Sequence, residues 1–193
     1  MRTRHEIGTR ERIVRATSRL MQRQGYEATG LKQISQEAQA TLGSVYHFFP
    51  GGKTELAVAA VRHGDEEFAD LLRAVLGRVE DPAEAIIACA DELAEGLRDS
   101  GWRDGCPIIT TALESAGRVP DIQHAAEQAF AHWRGLVEDK LRRSGLAEDV
   151  ARDLAHTVVN TLEGAEMSAQ VSRSESPLRL AGRHLARLVD SYR

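Results

Sequence analysis

The chain has only two cysteines, Cys89 and Cys106, in 193 residues. No Cys-x-x-Cys or His pair accompanies them, which excludes a disulfide framework and leaves a zinc site without ligands. Both read as free thiols, and no metal site or cofactor is expected. Aromatic residues are scarce at 5%, and there are only five prolines. No apolar run approaches the roughly 18–20 residues that cross a bilayer. Residues 1–5 are basic, but no apolar signal core follows them. The expected location is the cytoplasm, with no membrane partner. His-Glu-x-x-His, Gly-x-Ser-x-Gly and phosphate-loop patterns are all missing, and no nucleophile stands with a base. An enzyme therefore has no sequence support. Alternating runs of β-branched residues are almost absent, which argues against sheets.

What is present is a globular composition, 42% hydrophobic and 28% charged. This length buries a core without covalent staples. The formal net charge of −4 hides an asymmetry. Residues 1–55 carry nine Lys+Arg against five Asp+Glu, a net of +4, while the remainder carries 16 against 24, a net of −8. A basic amino end on an acidic body points to a polyanion at one end only.

Abundant Ala and Leu with sparse punctuation predict an all-α protein. The first helix spans about 9–24: Ile13, Ala16, Thr17, Leu20 and Met21 make one stripe, and Arg10, Arg12, Arg15, Arg19 and Arg23 lie off it. Gly25 ends it. Thr29 offers an N-cap for a short helix at about 30–37, and Thr41 one for a third at about 42–48. Pro50-Gly51-Gly52 breaks the chain before a long helix from Lys53 to about Leu76. Further helices are expected at about 82–98, 107–116, 120–143, 147–171 and 176–191, nine in all, without a repeat.

The segment 31–56 carries the functional signal. Two short helices joined by Ala38-Gln39-Ala40-Thr41 cannot stand alone and must lean on the first helix. That is a helix-turn-helix on a three-helix support. Gly43 and Ser44 in the first turn of the third helix let a groove floor approach the backbone. Tyr46 and His47 add polar groups, and Val45, Phe48 and Phe49 add apolar mass. Thr41 and Lys53 suit phosphates, and a helix of this length fits a major groove about 12 Å wide.

This segment closely resembles the N-terminal DNA-binding domain of TetR-family transcriptional repressors over residues 9–56. The run Gly43-Ser44-Val45-Tyr46-His47-Phe48-Phe49-Pro50, with Lys53 and Leu56 and the entry Gly25-Tyr26-Glu27-Ala28-Thr29, carries the likeness. The resemblance implies a recognition helix at 42–48, with Thr41, Tyr46, His47 and Lys53 on phosphates and Leu42, Gly43 and Ser44 near bases. Thr29 and Lys32 complete the expected DNA-binding set. Gln39 departs from the usual Gly of the turn, and Gly51-Gly52 from the usual Ser or Asn cap. The step Gly105-Cys106-Pro107 resembles the YxaF/LmrA-like branch.

The implied division is a DNA-binding domain at 1–55 and an effector-binding and dimerisation domain at 56–193. Candidate effector contacts are Phe68, Trp102, Cys106, Ile109 and Leu113, then Phe130, Trp133 and Met167, with plain core as the alternative for most. His156, Asn160 and Glu163 share one helix face at i, i+4 and i+7 and join that set, with solvent or a symmetry mate as the equal alternative. Leu154, Val158 and Leu162, with Leu178, Ala181, Leu185 and Leu188, exceed what one protomer is expected to cover, so they predict a twofold interface. The expected partners are a palindromic DNA duplex, a second copy of the chain and a hydrophobic or aromatic small molecule. The expected activity is that of a repressor released by that molecule. A protein-binding helical scaffold is the third possibility, disfavoured by the basic amino end and the third helix.

Overall fold

A computed structural model describes residues 7–193, so the basic residues 1–5 lie outside the described part. Nine helices and no strand occur among the described residues. In chain order they are α1 (Thr9–Gln24), α2 (Leu31–Glu37), α3 (Leu42–Phe48), α4 (Gly52–Arg78), α5 (Pro82–Asp99), α6 (Ile109–Ser115), α7 (Pro120–Arg143), α8 (Glu148–Ser172) and α9 (Ser176–Asp190). Among the described residues, no helix is long and apolar enough to cross a membrane.

The chain divides into two compact units. The first comprises the described residues up to 64 together with 107–126, and the second residues 65–106 and 127–193. The functional boundary expected after residue 55 falls inside α4, which runs unbroken from one unit into the other.

In the first unit, Ile13, Val14 and Ala16 of α1 pack with Ile34 of α2, Val45 of α3, and Phe49 and Leu56 beyond it. Helices of seven residues form few internal hydrogen bonds, so this shared core holds α2 and α3 in place. Arg12 secures the arrangement by donating from Nε to the Ala38 carbonyl at the end of α2, at 3.1 Å. The other stripe-free arginines are also engaged: Arg15 pairs with Glu11, Arg19 with Glu37, and Arg10 lies over the Phe49 ring.

Two local expectations are corrected. Thr29 does not cap α2: Gly30 occupies the cap position without a side-chain bond. The Thr29 hydroxyl instead donates back to the Gly25 carbonyl at 2.6 Å, and the residue is fully buried. At the start of α4 no Ser or Asn is needed, because Glu55 reaches back to accept from the Gly51 N–H at 2.8 Å.

In the second unit α9 packs chiefly against α5 and also against α8. Asp81 caps α5 by accepting from the N–H groups of Ala83 and Glu84, and Pro82 follows at its first position. Gly182 of α9 lies so close to Ala90 of α5 that an added Cβ would sit 2.7 Å from the Ala90 side chain. The residues expected at a twofold interface differ in how far the chain itself covers them. Leu154, Val158, Leu162, Leu178 and Leu185 are all buried within one chain, while Ala181 and Leu188 are half-buried. Helical spacing shows that a face is covered; it does not show whether α5 or a second protomer covers it.

Candidate functional site

The face of α3 that points away from the first unit's core is built from small and polar residues. Val45 is fully buried and anchors the helix. Thr41, Leu42, Gly43, Tyr46 and His47 are exposed, Ser44 is half-exposed, and Lys32 of α2 is exposed as well. Leu42 and Tyr46 are 42% and 51% accessible, high for residues with so much apolar surface. The Thr41 hydroxyl accepts from the Ser44 N–H at 3.0 Å and lies 2.9 Å from the Ser44 hydroxyl. This N-cap squares off the amino end of α3. Gly43 has open space around it: the nearest atom to an added Cβ would be Thr41 Oγ1, at 3.7 Å. Nothing in the protein's own packing requires glycine there.

Lys53 sits at the start of α4. Its Nζ donates to the Glu27 carbonyl at 3.2 Å and lies 4.4 Å from the centre of the Tyr26 ring. Gln39, in the turn between α2 and α3, adopts φ +50°, a left-handed conformation that costs a non-glycine residue about 1–2 kcal/mol. Of the nine residues expected at DNA, Lys32, Thr41, Leu42, Gly43, Tyr46 and His47 are exposed, Ser44 and Lys53 are half-exposed, and Thr29 is buried with its hydroxyl committed to Gly25.

Glu114 of α6 was not singled out from sequence. Its carboxylate accepts from the Glu27 N–H at 3.0 Å, and Arg118 pairs with the Glu27 side chain at 3.1 Å. These bonds tie α6 to the loop that precedes the helix-turn-helix.

The residues expected to line a pocket separate into groups. Phe68 and Glu163 border a narrow cavity in the second unit, together with Leu72, Leu76, Ile86, Val137 and Val159. Its open volume is about 20 Å³, room for one water. Trp133 is fully buried core, with its ring centre 4.4 Å from that of Phe68 and 5.1 Å from that of Phe130. Trp102 is half-buried in a loop at φ +67°. Ile109 and Leu113 belong to the first unit, and Leu113 is exposed. His156, Asn160 and Met167 are exposed on α8, whereas Glu163 on the same stripe is half-buried. A step of seven residues drifts by only about 20° on a 3.6-residue helix, so the three do share one stripe, with Glu163 at its inner edge and His156 and Asn160 toward solvent.

The partner that Glu163 does meet is Glu166, missed in the sequence. Cys106, Glu163 and Glu166 bring their Sγ and carboxylate oxygens within 4.8 Å of one another. Burial pushes the Glu163 carboxyl up to about 7, with a hydrogen bond from Cys106 opposing the shift. Burial and the neighbouring Glu163 charge push Glu166 up to about 8. Burial likewise raises the Cys89 thiol to about 12, leaving it protonated. The available signal was a pair of acids at i and i+3 in the carboxyl half of α8, where residues 161–172 carry no other charge.

Comparison with known proteins fits this arrangement. Residues 13–60 match the helix-turn-helix model of the bacterial regulatory proteins of the tetR family. Residues 82–184 match the C-terminal domain of LmrA/YxaF-like transcriptional regulators. The chain belongs to the TetR family. Within the family it is similar to the HTH-type transcriptional regulator LmrA of Bacillus subtilis, with 36% identity over 171 residues, 88% of this chain and 90% of that one. It is also similar to the regulator YxaF of the same organism, at 34% identity over 94% of this chain and 95% of that one. Its fold superposes on a TetR transcriptional regulator from Chloroflexus aurantiacus with a TM-score of 0.79 and 27% identity, covering 94% of each chain. On the regulatory protein TetR from Rhodobacter sphaeroides the TM-score is 0.82, at 24% identity, covering 93% of this chain and 97% of that one. This TetR-family member is therefore a DNA-binding transcriptional regulator of the YxaF/LmrA branch, a class without enzymatic activity.

Proposed function

We propose that the protein is a repressor that binds a palindromic operator as a homodimer and is released by an apolar small molecule. Residues 1–55 form the reading head; residues 56–193 bind the effector and dimerise. The observation that carries the reading is the exposed face Leu42-Gly43-Tyr46-His47 on a helix held by its opposite side, with glycine where the fold itself has no need of one. Leu42, Gly43 and Ser44 meet base edges, while Thr41, Tyr46, His47, Lys32 and Lys53 meet phosphates.

Dimerisation falls to the surfaces that α5 leaves uncovered. Met167 and Val171 on α8 and Leu180 on α9 are 44%, 87% and 46% exposed, and His156 and Asn160 continue the α8 face at helical spacing. Symmetric pairing there is the covering expected of apolar surface on a twofold oligomer. The effector acts through differential affinity for two states of the protein. Three covalent connections link the two units: the unbroken α4, the step from Cys106 to Pro107 that leads into α6 and Glu114, and α7, which crosses after Ala126.

Selection of bound duplexes from a random pool, followed by a compound screen for release of the winner, tests the reading. A twofold-symmetric consensus and at least one releasing compound support it. A non-symmetric consensus, or a winning duplex that no apolar compound displaces, contradicts it.

A further inference from the structure

We propose that the cavity beside Glu163 takes an organic cation, an ammonium group on an aromatic or aliphatic body, with Glu163 as its anchor. This rests on the reading of that cavity as the effector site and adds the charge of the ligand. Three observations carry it. First, Glu163 Oε2 is buried and has no hydrogen-bond partner. Buried polar atoms are almost always satisfied, and an orphan oxygen calls for a donor from outside the chain. Second, the cavity wall offers the ligand nothing else polar beyond the Cys89 thiol; Phe68, Leu72, Val137 and Val159 are typical of it. A single trapped water needs two to four polar partners, so it would remain undersatisfied here. Third, Glu166 stands behind Glu163 with its own carboxylate within 4.8 Å, and among the described residues neither acid forms a salt bridge to a basic side chain. Two adjacent carboxyls without a counter-ion make this end of the cavity a place where positive charge is favoured.

The free site resolves the conflict by protonation. Burial holds both carboxyls partly neutral near pH 7, so an entering ammonium displaces a proton and pairs with the carboxylate left behind. The groups beside Glu163 are Glu166 on its own helix and Cys106 from the loop before α6, and Cys89 of α5 lines the same cavity. The thiol of Cys89 stays protonated over the relevant range, leaving the two acids to set the pH response. The cavity holds only a water's volume as it stands, so the body of the ligand must part the apolar wall on entry. A ligand that stabilises such an opened state shifts the protein's population toward it.

The test uses the full chain without DNA and two matched probes, 4-phenylbutylammonium and 4-phenylbutan-1-ol, followed by titration calorimetry. At about pH 8.5 the ammonium is expected to bind at least about tenfold more tightly than the alcohol. Its affinity is expected to rise between about pH 6 and about pH 8.5, as the acids ionise. Glu163→Gln, with folding checked by circular dichroism, brings the two probes within about threefold of each other. Glu166→Gln, farther from the cavity, weakens the preference and serves if the first variant fails to fold. Equal binding of the probes, no ammonium binding at millimolar concentration, or a preference that survives in both variants overturns the proposal. Stoichiometric binding of zinc alone, without the ammonium, overturns it in favour of a metal site. Release of a selected duplex is measured separately. Ammonium binding without release leaves the charge assignment standing and defeats the effector reading; release by the alcohol as readily as by the ammonium does the reverse.

Discussion

Gly43 separates the demands of folding from those of binding. Space around it accommodates a methyl group, and alanine is favoured over glycine inside helices. Gly43→Ala is expected to leave thermal stability unchanged or raise it by up to about 1 kcal/mol, while DNA affinity falls by about tenfold or more because the backbone can no longer approach the groove floor. Differential scanning fluorimetry and fluorescence anisotropy on the selected duplex read the two effects apart. Glu163 and Glu166 make the opposite trade, since their burial costs stability when they ionise. Both have folded-state values raised above the ordinary 4.5, to about 7 and about 8. Their contribution is therefore full below about pH 4.5, declines as pH rises and is lost as pH passes through about 7–8. Glu166→Gln is neutral throughout, so it should melt a few degrees above the parent at about pH 8.5 and no higher at about pH 4.5. An equal difference at both values would show that the carboxyl is not buried in solution.

At the scale of elements, punctuation made the helices readable. Asp81-Pro82, Pro120, Gly25 and Pro50-Gly51-Gly52 mark ends that the structure places within one or two residues. Thr29 misled because Ser and Thr hydroxyls bond backward to carbonyls as well as forward to N–H groups; here Gly30 takes the cap position. The head was legible because a short run gathers the candidate DNA-facing residues on α3. The interior of the second unit was not. Leucines at helical spacing on α8 and α9 identify buried faces without identifying what lies across from them, and only three-dimensional packing reveals α5 there. Leu178 is accordingly a core residue, fully buried within a single chain. Leu178→Ala should destabilise the protein by about 2–5 kcal/mol in urea unfolding. A variant that instead became a stably folded monomer would return Leu178 to the interface.

The proposed repressor presents two α3 helices to one duplex. Sedimentation should therefore give twice the 21.2 kDa of the chain. Val171→Arg, which places charge on the 87% exposed position of α8, should shift the protein toward monomer and weaken operator binding without lowering helix content. Half-sites in the selected duplex should lie one turn, about 34–36 Å, or a multiple of it, apart. The most direct test of phosphate-led docking by the α3 face is operator affinity measured against salt concentration for the parent and Lys53→Ala. The expected result is a steep linear loss of log affinity with log salt, with the slope shallower by about one in the variant. A flat response in the parent, or identical slopes in the two proteins, would contradict the assignment of Lys53 and the surface beside it to the DNA backbone.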